Sequence, residues 1–173
     1  MEKSLLTVII ALLISIIALT LSIWQREEFK DISNLITSIP QLSTENYFKV
    51  ESVETTLEPP TIILYSNCYK LVGFVEDVQV RSINNALQKI REFRPNTHDF
   101  ASDVFNEFNI RLIDVRIEEI KNNAYIAKAF VMQGNKIREI DIRPSDGIAM
   151  ALRLNSPIYI KKDLMLSAGE KIC

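Results

Sequence analysis

Leu5 to Trp24 is a run of twenty residues without a charge, LLTVIIALLISIIALTLSIW. A helix rises about 1.5 Å per residue, so the run reaches about 30 Å, the thickness of a bilayer's hydrocarbon core. Its polar members are Thr7, Ser15, Thr20 and Ser22, whose hydroxyls can bond back to helix carbonyls. Trp24 closes the run where an interfacial aromatic belongs. A cleaved signal has a shorter apolar region, about 7–15 residues, followed by a small-residue cleavage site, and no such site follows here. The run therefore predicts a retained, single-pass transmembrane helix over about 5–24. Lys3 on one flank and Arg26 and Lys30 on the other nearly tie, so the positive-inside rule leaves its orientation open.

Three segments follow from this. Residues 1–30 form a membrane anchor, 31–45 a linker, and 46–173 a folded domain. Phe29, Ile32, Leu35 and Ile36 recur at helical spacing, which predicts a short continuation of the helix that Pro40 stops. Residues 46–173 are long enough for one hydrophobic core. The chain carries a net charge of −2, all of it in the first 45 residues, so no strong field points to nucleic acid or anionic lipid.

Residue counts exclude several chemistries. Four glycines, Gly73, Gly134, Gly147 and Gly169, cannot form a dinucleotide-binding fingerprint or a P-loop. A single histidine, His98, excludes the two-histidine zinc helix. Two cysteines, Cys68 and Cys173, are too few for a four-cysteine zinc site or a disulfide framework. One in a turn and one at the terminus, they could meet in space, but with nothing in the sequence to support that they read as free thiols. No serine lies in a Gly-x-Ser-x-Gly elbow.

Patterning predicts an α+β domain. Strands are expected at 47–53, 61–65 and 69–75, the last two as a hairpin. Ile83, Ala86, Leu87 and Ile90 mark an amphipathic helix over 78–93. A second helix starts after Thr97 as its cap. Strands follow around 113–118, 125–132 and 137–143, with turns at Asn122-Asn123 and at Gln133-Gly134-Asn135. Ser145 caps a helix that Asn155 ends, and a short strand (157–160) and a last helix (161–168) complete the domain. Clustered strands, then helices, then strands predict a mixed or antiparallel sheet with packed helices.

One polar group stands out. Asp141 and Arg143 are two apart on a strand, and Asp146 lies in the first turn of the next helix. Carboxylates in such a cluster can hold Mg²⁺ or Mn²⁺, and an adjacent arginine can grip a phosphate. His98 and Asp99, at another helix start, are candidates for a base or a further ligand. Capping and surface pairing explain the same residues without any chemistry. Arg81, Lys89, Arg91 and Arg94 make a basic stripe on or just past the first helix of the domain, which reads either as a phosphate-binding surface or as a solvated face.

REIDIRPSDGIAMALRLNSPIYI (138–160), followed by KKDLMLSAG, closely resembles the signature of the bifunctional nuclease domain family, and RPNTHDF (94–100) resembles that family's Arg-Pro-x-Thr-His-Asp segment. The resemblance covers essentially all of 46–173. It implies a compact α+β domain, often dimeric, with DNase and RNase activity ascribed to some members. The matching polar positions are Arg94, Thr97, His98, Asp99, Asp141, Arg143, Ser145 and Asp146. Two departures accompany it: an Ile-Gly-x-x-Glu stretch usual in the family places its glutamate at Gln79, and Gly147 stands where relatives usually have alanine, which predicts flexibility in that helix's first turn.

The expected function is membrane-anchored, divalent-metal-assisted hydrolysis of DNA or RNA. Asp141, Asp146 and Asp99 would hold Mg²⁺ or Mn²⁺, His98 would handle protons, and Arg143 and Arg94 would bind phosphate. A nucleic-acid ligand places the domain on the cytoplasmic side. The alternative is a noncatalytic, membrane-tethered, homodimeric binding module, favoured by the neutral domain and by Gln79.

Overall fold

The computed structural model describes residues 12–23 and 42–173. Residues 12–23 are helical (α1) and residues 44–173 form a separate compact unit. In α1 the hydroxyls of Ser15, Thr20 and Ser22 donate to the carbonyls of Leu12, Ile17 and Leu19 at 2.8, 2.9 and 2.8 Å, as an apolar helix requires of its polar members. Among the described residues no helix is long and apolar enough to cross a membrane. The rest of the expected 5–24 span, and the expected stop at Pro40, lie outside the described residues.

The folded unit is α+β with two sheets. The first has the order β1 (Tyr47–Lys49), β8 (Ile158–Lys161), β5 (Ile110–Lys121), β6 (Ala124–Gln133), β7 (Lys136–Ile142). Its strands are antiparallel except for β5 and β8, which are parallel. The second is antiparallel, in the order β2 (Ser52–Leu57), β3 (Pro60–Ser66), β4 (Tyr69–Phe74), β9 (Glu170–Lys171). The single strand expected over 47–53 is thus two: β1 joins one sheet and β2 the other.

Turn chemistry sets the hairpins. Asn122 and Asn123 both take positive φ, 51° and 62°. Two such residues let a two-residue turn follow the twist of β5 and β6, and asparagine tolerates the conformation.

Four helices complete the unit: α2 (Asp77–Leu87), α3 (Thr97–Glu107), α4 (Pro144–Leu154) and α5 (Lys162–Ala168). α2 ends earlier than its apolar spacing predicts. Its cap at Gln88 is followed by Lys89 at φ 55°, where a right-handed helix cannot continue. The cap of α3 is Asn96 rather than Thr97, and the cap position of α4 is Arg143 rather than Ser145, with Pro144 opening the helix. Asn155 ends α4 in the left-handed conformation, as expected.

Ile83, Val115, Ile148, Ile160 and Met165 are among the fully buried side chains of one core shared by both sheets and the helices. Burying each such side chain stabilises by about 1.5–3 kcal/mol. The core fixes how closely α4 lies on β5. A Cβ on Gly147 would meet Val115 Cγ1 at 2.7 Å and Ile142 Cγ2 at 3.4 Å. Gly147 is therefore a close-approach residue, not the flexible point expected from sequence.

Cys68 and Cys173 are joined in a disulfide rather than free. Pairing of β9 with β4, and the Ile172 N–H donating to the Cys68 carbonyl at 2.9 Å, bring their Cα atoms to 5.2 Å, within bonding reach. Spacing along the chain, 105 residues, hid this.

Candidate functional site

The site forms where α2, α3 and the start of α4 meet. Asn96 caps α3 because its Oδ1 accepts the N–H groups of His98 and Asp99 at 2.9 and 3.0 Å. Asp99 completes a capping box, its Oδ2 accepting the Asn96 N–H at 3.0 Å. This closed turn aims the His98 ring between α2 and α4. Its Nδ1 lies 2.9 Å from Ser82 Oγ on α2, and its Nε2 lies 3.3 Å from Asp146 Oδ1 on α4.

Arg143 completes the group. Its Nε donates to Asp146 Oδ2 at 2.6 Å and its Nη2 to Asp146 Oδ1 at 3.2 Å. The charge-assisted pair raises the Arg143 guanidinium above its ordinary range, the hydrogen bond to Asp146 being the larger cause and its charge the next. The Arg143 side chain is 71% exposed, Asp146 22% and His98 19%. A solute can therefore reach Arg143 and the edge of Asp146.

The other expected ligands sit elsewhere. Asp99 is buried, and its Oδ1 accepts Arg153 Nε at 2.8 Å. Burial pushes its carboxyl up, but the bonds from Arg153 and from the Asn96 backbone outweigh burial and hold it below the ordinary carboxylate range. Asp141 is exposed on β7, opposite Lys128 of β6. Its neighbour Ile142 faces Gly147 of α4, so strand alternation turns Asp141 to the other face of the sheet. There Lys128 pairs with Glu139. Arg143, though two residues from Asp141, bends towards α4 instead. Arg94 is exposed in the loop before Asn96.

Asp141, Asp146 and Asp99 thus do not converge, and among the described residues no group of three His, Cys, Asp or Glu side chains is placed to hold a metal ion. The three-carboxylate site expected for Mg²⁺ or Mn²⁺ does not fit this arrangement. Gln79 is occupied in structure, since its Oε1 accepts the Glu76 N–H at 3.0 Å and forms half of a capping box on α2. In the basic stripe, Arg91 is paired with Asp103 of α3 by two hydrogen bonds, at 3.0 and 2.6 Å.

Three residues of this network were not anticipated: Ser82, Asn96 and Arg153. Arg153 donates to Asp99, to the Ser82 and Ala149 carbonyls (3.2 and 3.0 Å) and to Ser82 Oγ (3.2 Å), tying three helices together. The one local signal was a small polar residue, Ser82, close to the apolar Val80 and Ile83 of α2. Its partner lies 71 residues away, beyond any local pattern.

A second charged cluster lies on β5, on the sheet face turned away from α4. Arg116, buried, donates Nε and Nη2 to Asp114 at 3.0 and 2.9 Å and lies 4.2 Å from the Phe130 ring centroid. Burial pushes the Tyr47 hydroxyl up to about 12, helped by its bond to Glu118.

The Bifunctional nuclease domain model matches residues 66–172, and the chain belongs to that family. An uncharacterised protein of Mycobacterium tuberculosis is 32% identical over 82 residues, 47% of this chain and 48% of that one. Bifunctional nuclease 1 of Oryza sativa subsp. japonica is 29% identical over 90 residues, 50% of this chain and 27% of its own length. Bifunctional nuclease 1 of Arabidopsis thaliana is 27% identical over 90 residues, 50% of this chain and 28% of its own. The matches span about half of the mycobacterial relative and little more than a quarter of the plant ones.

Proposed function

We propose that this nuclease-family protein binds a phosphodiester of DNA or RNA where Arg143, Asp146 and His98 meet, and hydrolyses it. One observation carries the reading: an exposed guanidinium and a part-exposed carboxylate share one edge, with a histidine behind them. Arg143 Nη1, which makes no bond to Asp146, is the nitrogen to take a phosphate oxygen. Asp146, held in place by Arg143 and His98, is the group to accept a proton from the attacking water.

The test is cleavage of single-stranded DNA and RNA by the full chain in detergent, with Mg²⁺, with Mn²⁺, and with chelator. Cleavage that falls in Arg143→Ala and Asp146→Asn supports the reading. Cleavage undiminished in both removes these residues from it.

A second reading is a noncatalytic module that self-associates. It is favoured by the pairing of Asp99 with Arg153 and of Asp114 with Arg116, which engages the buried acids in structure. It predicts no cleavage with any cation, and dimers in sedimentation.

We further propose that the uncharged run 5–24 anchors the chain in a membrane, supported by its length and by the exposed leucines and isoleucines of α1. The Cys68–Cys173 disulfide favours an oxidising compartment for residues 44–173 over the cytoplasmic side. Protease accessibility in sealed vesicles tests the sidedness: protection of the domain in right-side-out vesicles would sink it.

A further inference from the structure

We propose that Ser82 and Asp146 together fix the proton of His98 on Nε2, so that the imidazole is a donor to Asp146 and not the base of the reaction. The argument is a count of donors and lone pairs. Asn96 Oδ1 accepts two backbone N–H groups, which settles that amide's orientation and leaves its Nδ2 as a donor. That Nδ2 lies 3.4 Å from Ser82 Oγ, and Arg153 Nη2, which has only hydrogens to offer, lies 3.2 Å from it. A serine hydroxyl has two lone pairs and one hydrogen. Both lone pairs are taken by Asn96 and Arg153, and the hydrogen goes to the remaining neighbour, His98 Nδ1, at 2.9 Å.

His98 Nδ1 is therefore an acceptor. In the neutral ring the single hydrogen lies on Nε2, 3.3 Å from Asp146 Oδ1, which can only accept it. The ring's lone pair points at Ser82, a buried residue, and no substrate proton reaches it there. His98 is thus a positioning residue that, with Arg143, holds the Asp146 carboxylate in place. Ser82, through its bonds to Arg153 and Asn96, sets the direction of that bond.

His98 is the single histidine of the chain, so its ring nitrogens are read without assignment. The experiment is a long-range ¹H–¹⁵N spectrum of full-length protein labelled with ¹⁵N-histidine and purified without a histidine tag, at a pH where the ring is neutral. The expected result is a protonated-type shift at Nε2 and a lone-pair-type shift at Nδ1. The reverse tautomer, or rapid averaging of the two, would overturn the proposal. In Ser82→Ala the Nε2 hydrogen should stay, held by Asp146, while the Nδ1 lone pair loses its hydrogen bond and its shift moves downfield; a folded variant with an unchanged Nδ1 shift overturns the role of Ser82. If that variant does not fold, the wild-type spectrum still decides the tautomer.

The role assigned to His98 in cleavage rests on the reading given above. His98→Gln keeps an N–H donor near the Nε2 position and should cleave at least about tenfold faster than His98→Ala, the worth of a hydrogen bond to a charged group. An equal loss of about 100-fold or more in both variants would instead mark His98 as the proton-transfer group. If the wild type cleaves nothing, the nuclease reading fails, and the nitrogen spectrum still decides the tautomer.

Discussion

Arg153 Nε donates to Asp99 Oδ1 at 2.8 Å, with the two side chains 8% and 9% exposed. The pair crosses from the last turn of α4 to the first turn of α3. Asp99 looks like a ligand in the sequence, but the fold uses it as the anchor of a buried cation. Removing one partner of such a pair leaves the other charge buried without compensation. Asp99→Asn should therefore destabilise the domain by about 3 kcal/mol at neutral pH, read from urea unfolding. The pH dependence has a definite sign. The folded-state carboxyl lies below its ordinary value, so its stabilisation is complete above the unfolded-state pKa and is lost as pH falls through the folded one. The gap between wild type and Asp99→Asn should narrow on acidification; a gap that widens would show the assignment to be wrong.

The two aspartates flanking Arg143 should behave differently. Asp146 touches His98 and Arg143, whereas Asp141 lies across from Lys128 on the other face of the sheet. Cleavage should fall further in Asp146→Asn than in Asp141→Asn, with rates compared under one set of cation conditions. If Asp141→Asn is the more damaging, the reacting surface is the sheet face and not the helix junction.

Gly147 follows Asp146 and has no room for a methyl group. Gly147→Ala must push against Val115 Cγ1 at 2.7 Å, and overpacking of this kind costs about 1–3 kcal/mol. On an exposed helix the same change would stabilise, since alanine is the better helix former. The sign of the change in thermal midpoint is therefore diagnostic: a drop supports close packing of α4 on β5, and a rise would mean that the first turn of α4 is looser than described.

Much of the fold was legible because its cues are local. Alternation in 113–118 gave β5, the asparagine pair gave its turn, and the apolar spacing of Ile148, Ala149, Ala151 and Leu152 gave α4. Errors came where the deciding contact is distant. Lys49 and Ser52 belong to different sheets because β1 pairs with β8, more than a hundred residues on. In the site, His98 and Asp146 were legible as polar residues at helix starts, and their adjacency was not. Asp141 was grouped with Asp146 by nearness in sequence, but the strand pleat sends it to the opposite face. Ser82 and Arg153 read as ordinary helix residues, since nothing local marks a serine whose lone pairs are taken in part by an arginine 71 residues away.

The disulfide offers the last test. Strand β9 has two residues and is held to β4 by their pairing and by the Lys70–Glu170 ion pair at 3.1 Å. An exposed pair of that sort contributes little, so the strand pairing, the Ile172–Cys68 backbone hydrogen bond and the Cys68–Cys173 bond are what tie this segment to the hairpin. The disulfide closes a span of 105 residues, and a cross-link over a long loop stabilises chiefly by restricting the unfolded chain, typically by about 2–4 kcal/mol. The double variant Cys68→Ser, Cys173→Ser should lose about that much, with the urea midpoint falling while the denaturant slope rises, because the unfolded chain is less restrained and exposes more surface. Intact mass after alkylation, with and without prior reduction, checks that the wild-type bond is formed. A wild-type protein that alkylates at both thiols without reductant would remove the bond, and with it the argument for an oxidising compartment.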